Sequence, residues 1–164
     1  MTMRPRLRSL AWLSAGLLAG LAAGLALPIV RGQAPAKPAG PLRSARVTWA
    51  EAPATRADWG ELRAHFEGET FGLGGALAAV AVIKPGQENH PPHQHSDEEF
   101  LFVTEGSGRW HLDGKEFPAA KADAIYAAPW VMHGIKNTGG VPLTWVVFKW
   151  NSKGVKAPEA PKKD

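Results

Sequence analysis

The chain has 164 residues, 45% of them hydrophobic, with 19 Lys and Arg against 15 Asp and Glu and no cysteine. That length fits one domain with a core of its own, and the missing thiols exclude disulfides, thiolate metal sites and cysteine nucleophiles. Of the 19 basic residues, Arg4, Arg6, Arg8 and Arg31 fall within positions 1–36, which hold no acidic residue, so the rest of the chain carries 15 of each sign and no basic excess that would argue for nucleic-acid binding.

Arg4, Arg6 and Arg8 precede an apolar stretch over 10–30 rich in Leu, Ala and Gly, the pattern of a secretory signal peptide. Ala34-Pro35-Ala36 offers small residues where a signal peptidase reads, so residues 1–36 are expected to be removed; no adjacent arginine pair marks the twin-arginine route. The same apolar run is long enough to span a bilayer, which makes an inner-membrane anchor over 10–30 the alternative. Both readings put the remainder in the periplasm or outside the cell, touching a membrane only through an uncleaved N-terminal segment.

Residues 37–44, with Pro38, Gly40 and Pro41, have linker composition. The folded domain is expected over 45–150. Its first strand is expected at 45–50, followed by a short turn or helix over 54–65, from the spacing of its acidic and basic residues. Apolar or alternating runs at 76–83, 99–105, 109–112, 125–127, 135–137 and 142–150 then read as strands. Between them lie turn residues, of which Asp113-Gly114 is the clearest hairpin signal. Many short strands and no helical periodicity predict an all-β fold, an antiparallel β-barrel or jelly roll that hides its strand edges. The segment 151–164, rich in Lys and Pro, has little to bury and is expected to be disordered.

The chemistry concentrates in His93-Gln94-His95-Ser96-Asp97-Glu98-Glu99, with His133 some forty residues later, after Pro129. Residues two apart on a strand share a face, so His93, His95 and Glu99 project together, with Leu101 and Val103 continuing that face as an apolar wall. Three imidazoles and one carboxylate suit a single divalent ion. They leave open positions on a six-coordinate metal, which favours Mn, Fe, Ni or Co, with Zn possible.

Gly86, six residues, His93-Gln94-His95, three residues, Glu99, six residues and Gly106 resemble the first cupin motif, with one extra residue after Gly86. Asp123, five residues, Pro129, three residues, His133, three residues and Asn137 are similar to the second. There, Ala122 stands where glycine is usual, and the turn 130–132 is one residue short and lacks its glycine. The resemblance covers about residues 71–150. It implies a single-domain bacterial cupin: a compact β-barrel, often homodimeric, with His93, His95, Glu99 and His133 as metal ligands.

Other residues each have a plain structural alternative. His90 is a candidate for the pocket entrance or a solvent-facing loop residue. Glu98 points away from Glu99 unless a bulge exchanges them. Arg63 and His65 would form a lid if their segment folded over the barrel mouth. His111 reads as an outward hairpin residue. Tyr126 is a substrate contact or an interior packing residue, Trp110, Trp145 and Trp150 belong to core or dimer interface, and Trp130 is a pocket wall.

Two functions fit these residues. One is an enzyme using the metal centre on a small oxygen-rich molecule, in dioxygenase-like chemistry or as a non-redox isomerase, decarboxylase or hydrolase. The other is a small-ligand-binding or sensing module without turnover. No further lysine or carboxylate stands at a motif-fixed spacing to act as a general base.

Overall fold

A computed structural model describes residues 40–162. The expected leader or anchor over 1–36, and the first part of the linker, lie outside the described residues.

Nine strands form two antiparallel sheets, and no helix occurs among the described residues. β1 (Ala54–Ala57), β2 (Gly60–Gly68), β3 (Leu73–Ile83), β9 (Leu143–Ser152), β4 (Glu98–Glu105) and β7 (Ala124–Ala127) lie in that order in a six-stranded sheet; β6 (Lys115–Ala120), β5 (Ser107–Leu112) and β8 (His133–Lys136) make the second. The all-β jelly-roll expectation holds.

The core lies between the sheets. β3 contributes Ala79, Ala81 and Ile83, β4 Leu101 and Val103, and β9 Leu143, Trp145 and Val147; Trp110, Ala119 and Ile135 come from the smaller sheet. Size is complementary across the ladder: Ala81 pairs with Trp145, so the small side chain leaves room for the indole beside it. Burying a side chain such as Leu101 or Val103 contributes about 1.5–3 kcal/mol.

The N-terminal expectations need correction. Residues 45–48 join no ladder, and at Thr48 the chain turns, because Glu51 Oε2 accepts from both the Thr48 amide (2.8 Å) and its hydroxyl (2.6 Å). The stretch 54–65 is neither helix nor plain turn but the hairpin of β1 and β2. Its charges pair across strands: Arg56 opposes Glu61 and meets it at 3.1 Å. Five residues apart in sequence, they meet because the hairpin folds β1 onto β2.

β6 is absent from the expected strands because Pro118 interrupts its apolar alternation. It is an edge strand, where proline is tolerated. The Asp113-Gly114 signal is correct: both residues have positive φ, 51° and 71°, as a two-residue type I′ hairpin requires. Gly106 (φ 76°) is obligatory, since a Cβ there would strike the Pro142 carbonyl. Asn137, fully buried, donates to the carbonyls of Ile83 and Val141 (2.8 Å each) and accepts from Gly139 N (2.9 Å), tying the 137–141 turn to β3. β9 extends to Ser152. Beyond it the described residues have no regular structure, though Pro158 O accepts from Trp130 Nε1 at 2.7 Å.

Candidate metal centre

His93 and His133 come from segments forty residues apart and meet as an isolated bridge in which each amide donates to the other's carbonyl, at 3.0 and 2.9 Å. His95 lies two residues on, and its carbonyl accepts from the Trp130 amide (2.7 Å), which docks the turn after Pro129 against the same loop. Each of the three imidazoles offers a nitrogen, and these nitrogens lie within 4.8 Å of one another. Ring centroids are 4.7–5.2 Å apart.

Glu99 reaches the cluster from β4. Its Oε2 lies 2.9 Å from His95 Nε2 and 3.3 Å from His133 Nε2; the second approach lacks hydrogen-bond geometry and leaves that nitrogen unpaired. Two rings are oriented by the backbone: His95 Nδ1 lies 3.1 Å from Asp97 O and His133 Nδ1 2.8 Å from Val131 O. A proton on each Nδ1 satisfies these carbonyls and leaves Nε2 free as a ligand atom. His93 Nδ1 is also buried without a partner.

Burial, with the charges of His90, His133 and His95, lowers His93 from its ordinary 6.5 to about 4. Burial would raise Glu99, but the imidazoles of His133 and His95 beside it outweigh burial and hold its carboxyl below the usual range. Burial likewise opposes protonation of His133, yet Glu99 and the Val131 carbonyl raise its pKa on balance. A neutral imidazole, unpaired buried ring nitrogens and an ionised carboxylate on one small volume form a donor set suited to a divalent cation.

The other candidates scatter. Glu98 faces outward, where it accepts from Tyr126 OH at 2.8 Å, so β4 carries no bulge at this pair. Tyr126 is therefore neither a pocket residue nor an interior one: strand parity puts it outside, 43% exposed, against Phe100. Leu101 and Val103 do point inward, but as sealed members of the core.

His90 packs edge-on against His93 with centroids 4.1 Å apart, and its Nδ1 is 3.0 Å from Pro91 O. Trp130 holds a left-handed backbone (φ 65°), the conformation that a glycine would supply in a longer turn. Arg63 makes no lid: it donates to the carbonyls of Trp49 and Ala52 and lies over the Trp49 ring at 4.7 Å. His65 borders a hollow on the outer face of the large sheet, with Phe66 and Phe148, and His111 borders one on the smaller sheet. Trp110 and Trp145 are core, whereas Trp150 packs against Phe100.

One inward residue escapes the sequence reading. Lys149 stands directly across the β4–β9 ladder from Glu99, and its charge opposes protonation of His133. The signal for it is parity: Leu143, Trp145, Val147 and Lys149 occupy alternate positions of β9.

A family model described as a cupin domain matches residues 79–149. Protein SchB of Streptomyces halstedii is 30% identical over 95 residues, 58% of this chain and 69% of that protein. A gentisate 1,2-dioxygenase from Streptomyces sp is 29% identical over 82 residues, 49% of this chain but 23% of the enzyme. Among solved structures, a predicted oxalate decarboxylase from Thermotoga maritima superposes with a TM-score of 0.55 at 20% identity, covering 65% of this chain and 99% of that one, a likeness of fold. The chain spans about half the length, or less, of several curated relatives that it matches.

Proposed function

This chain belongs to the cupin superfamily, and on that premise we propose that it binds and transforms a small oxygen-rich molecule at a divalent metal centre held by His93, His95, Glu99 and His133. The observation that carries the reading is the convergence of three imidazole nitrogens within 4.8 Å, with the Glu99 carboxylate 2.9 Å from one of them. Mn, Fe, Ni or Co suits three His and one Glu with positions to spare; Zn is the tetrahedral alternative. A bound ion of this kind supplies Lewis-acid polarisation of a ligand oxygen, and redox chemistry if it is iron.

The protein's own contribution is positioning. The carbonyls of Asp97 and Val131 fix the tautomers of His95 and His133, Glu99 brings the negative charge that attracts a cation, and Leu101 and Val103 next along β4 keep water from the carboxylate's inner side. The gentisate dioxygenase likeness supports an oxygen-dependent reaction on a ring or chain rich in oxygen. The test is oxygen uptake and product analysis with catechols, thiols and diketones, on protein bearing its native metal. Substrate-dependent oxygen consumption supports the dioxygenase reading; tight ligand binding without product under any metal assigns the protein to the binding cupins instead.

The same proposal includes export to the periplasm or beyond, from the composition of residues 1–36, with an inner-membrane anchor as the other outcome of sequencing the mature N-terminus. It also includes a homodimer. Tyr126, Phe100, Phe148, Ala78 and Phe66 form one cross-strand row on the outer face of the large sheet. Phe100, Phe102, Tyr126 and Phe148 are 46%, 41%, 43% and 50% exposed. These four rings leave on the order of 400 Å² bare, at the high end of what monomers expose and about half of what each partner contributes to a standard interface. The row carries no charge, so a second copy can face it without like-charge cost.

A further inference from the structure

The inner face of the large sheet carries a row that the metal centre does not account for. Across the ladders, Glu67, Leu77, Lys149, Glu99 and Ala127 are successive neighbours. Lys149 occupies the inward position on β9 that Leu143, Trp145 and Val147 fill with apolar groups further along. The Lys149 side chain is 34% exposed, and within the described residues its charge is met by one long ion pair. The Asp97 carboxylate is 3.9 Å away, beyond hydrogen-bond distance, and its other oxygen already accepts from Asn151 Nδ2 at 3.2 Å. None of the three N–H donors of Lys149 is used in a hydrogen bond among the described residues.

Both groups open onto a cleft of about 150 Å³. Glu67, Leu77, Asp97, Lys149 and Asn151 line it. A cavity of about this volume holds a benzene-sized molecule. Two of its residues adjoin the histidine cluster: the Asp97 carbonyl orients His95, and Lys149 stands opposite Glu99.

We propose that this cleft is a subsite for a small carboxylate that carries a hydrogen-bond donor on the adjacent carbon, a hydroxy acid or an amino acid. Lys149 takes the carboxylate, Asp97 accepts from the hydroxyl or ammonium group, and Leu77 packs against the carbon skeleton. Only a ligand with both groups hydrogen-bonds the ammonium and the carboxylate of this long ion pair at once. Any reaction of the bound molecule rests on the metal-centre reading, while the binding step depends on Lys149 and Asp97 alone.

The experiment is calorimetric titration of the full chain, metal-loaded and metal-stripped, with lactate, alanine, propionate and lactamide, and metal content measured on every sample. Lactate or alanine should bind in both states. Propionate, which lacks the donor, and lactamide, which lacks the charge, should bind several-fold more weakly. Lys149→Met should lose about tenfold or more in affinity, with metal content unchanged, and Lys149→Arg, which keeps the charge, should retain most of the binding and control for folding. The preference between lactate and alanine identifies the donor. Equal binding of lactate to wild type and Lys149→Met overturns the proposal, as does failure of both acids to bind the wild type. A chain that takes up no metal yet binds lactate through Lys149 sinks the metal centre and leaves this subsite standing; metal uptake with binding indifferent to Lys149 does the reverse.

Discussion

His93 and His133 are locked face to face by a reciprocal pair of backbone hydrogen bonds, 3.0 and 2.9 Å, outside any regular strand pairing. The convergence of the histidines is thus fixed by the main chain before any ion arrives. Glu99 then reaches the histidines from the large sheet, with Lys149 opposite it on the adjacent strand and the same face.

Because Glu99 touches the cluster and Glu98 touches Tyr126 on the opposite face, the two neighbours should respond oppositely to loss of charge. Glu99→Gln should weaken divalent-metal affinity about tenfold or more, whereas Glu98→Gln should leave it unchanged. Competition titration with a chromogenic chelator checks this, and equal losses in the two variants would contradict the face assignment.

The metal-free protein should lose stability as pH falls from 6.5 to 4. The folded His93 pKa, about 4, lies below its ordinary 6.5, so across this window the unfolded chain takes up a proton that the folded chain refuses. The stability linked to His93 is complete above 6.5 and lost as pH drops through 4. His133 is shifted the other way, so its contribution is complete below 6.5 and declines only at higher pH. Urea unfolding in the presence of chelator should therefore show a steeper acid loss for wild type than for His93→Gln; identical pH profiles would refute the linkage.

Ala122 has a φ of 74° in the turn that leads into β7, a conformation that disfavours a Cβ. Ala122→Gly should stabilise the fold by about 0.5–1 kcal/mol, read as a higher urea midpoint at unchanged slope. A lower midpoint would show that the turn is not left-handed at this residue.

If a second copy covers the aromatic row, Phe148→Lys should convert a sedimenting dimer into a monomer with the same circular dichroism and metal content. A wild type that sediments as a monomer would remove the homodimer from the account.

The site is legible in sequence because it obeys two simple rules: even spacing along β4 sets Glu99, Leu101 and Val103 inward together, and motif spacing ties His133 to His93. Less legible are features that depend on which strands are neighbours. Tyr126 reads as a pocket or packing residue until its pairing with Phe100 puts it outside. The pairing of Arg56 with Glu61, five residues on, exists only once the hairpin lays β1 beside β2. Lys149 gives no signal of a role at the site because its opposition to Glu99 exists only once β9 lies beside β4. Trp130 shows how the shortened turn is accommodated: it takes a left-handed backbone, of order 1 kcal/mol in cost, held by the His95 carbonyl.

The most direct test of the metal centre is elemental analysis of protein purified without added metal, wild type beside His95→Ala. One divalent ion per chain in the wild type and at most a tenth of that in a folded variant is the expected result. No ion in the wild type after exposure to Mn, Fe, Ni, Co and Zn, or equal metal in both proteins, would contradict it.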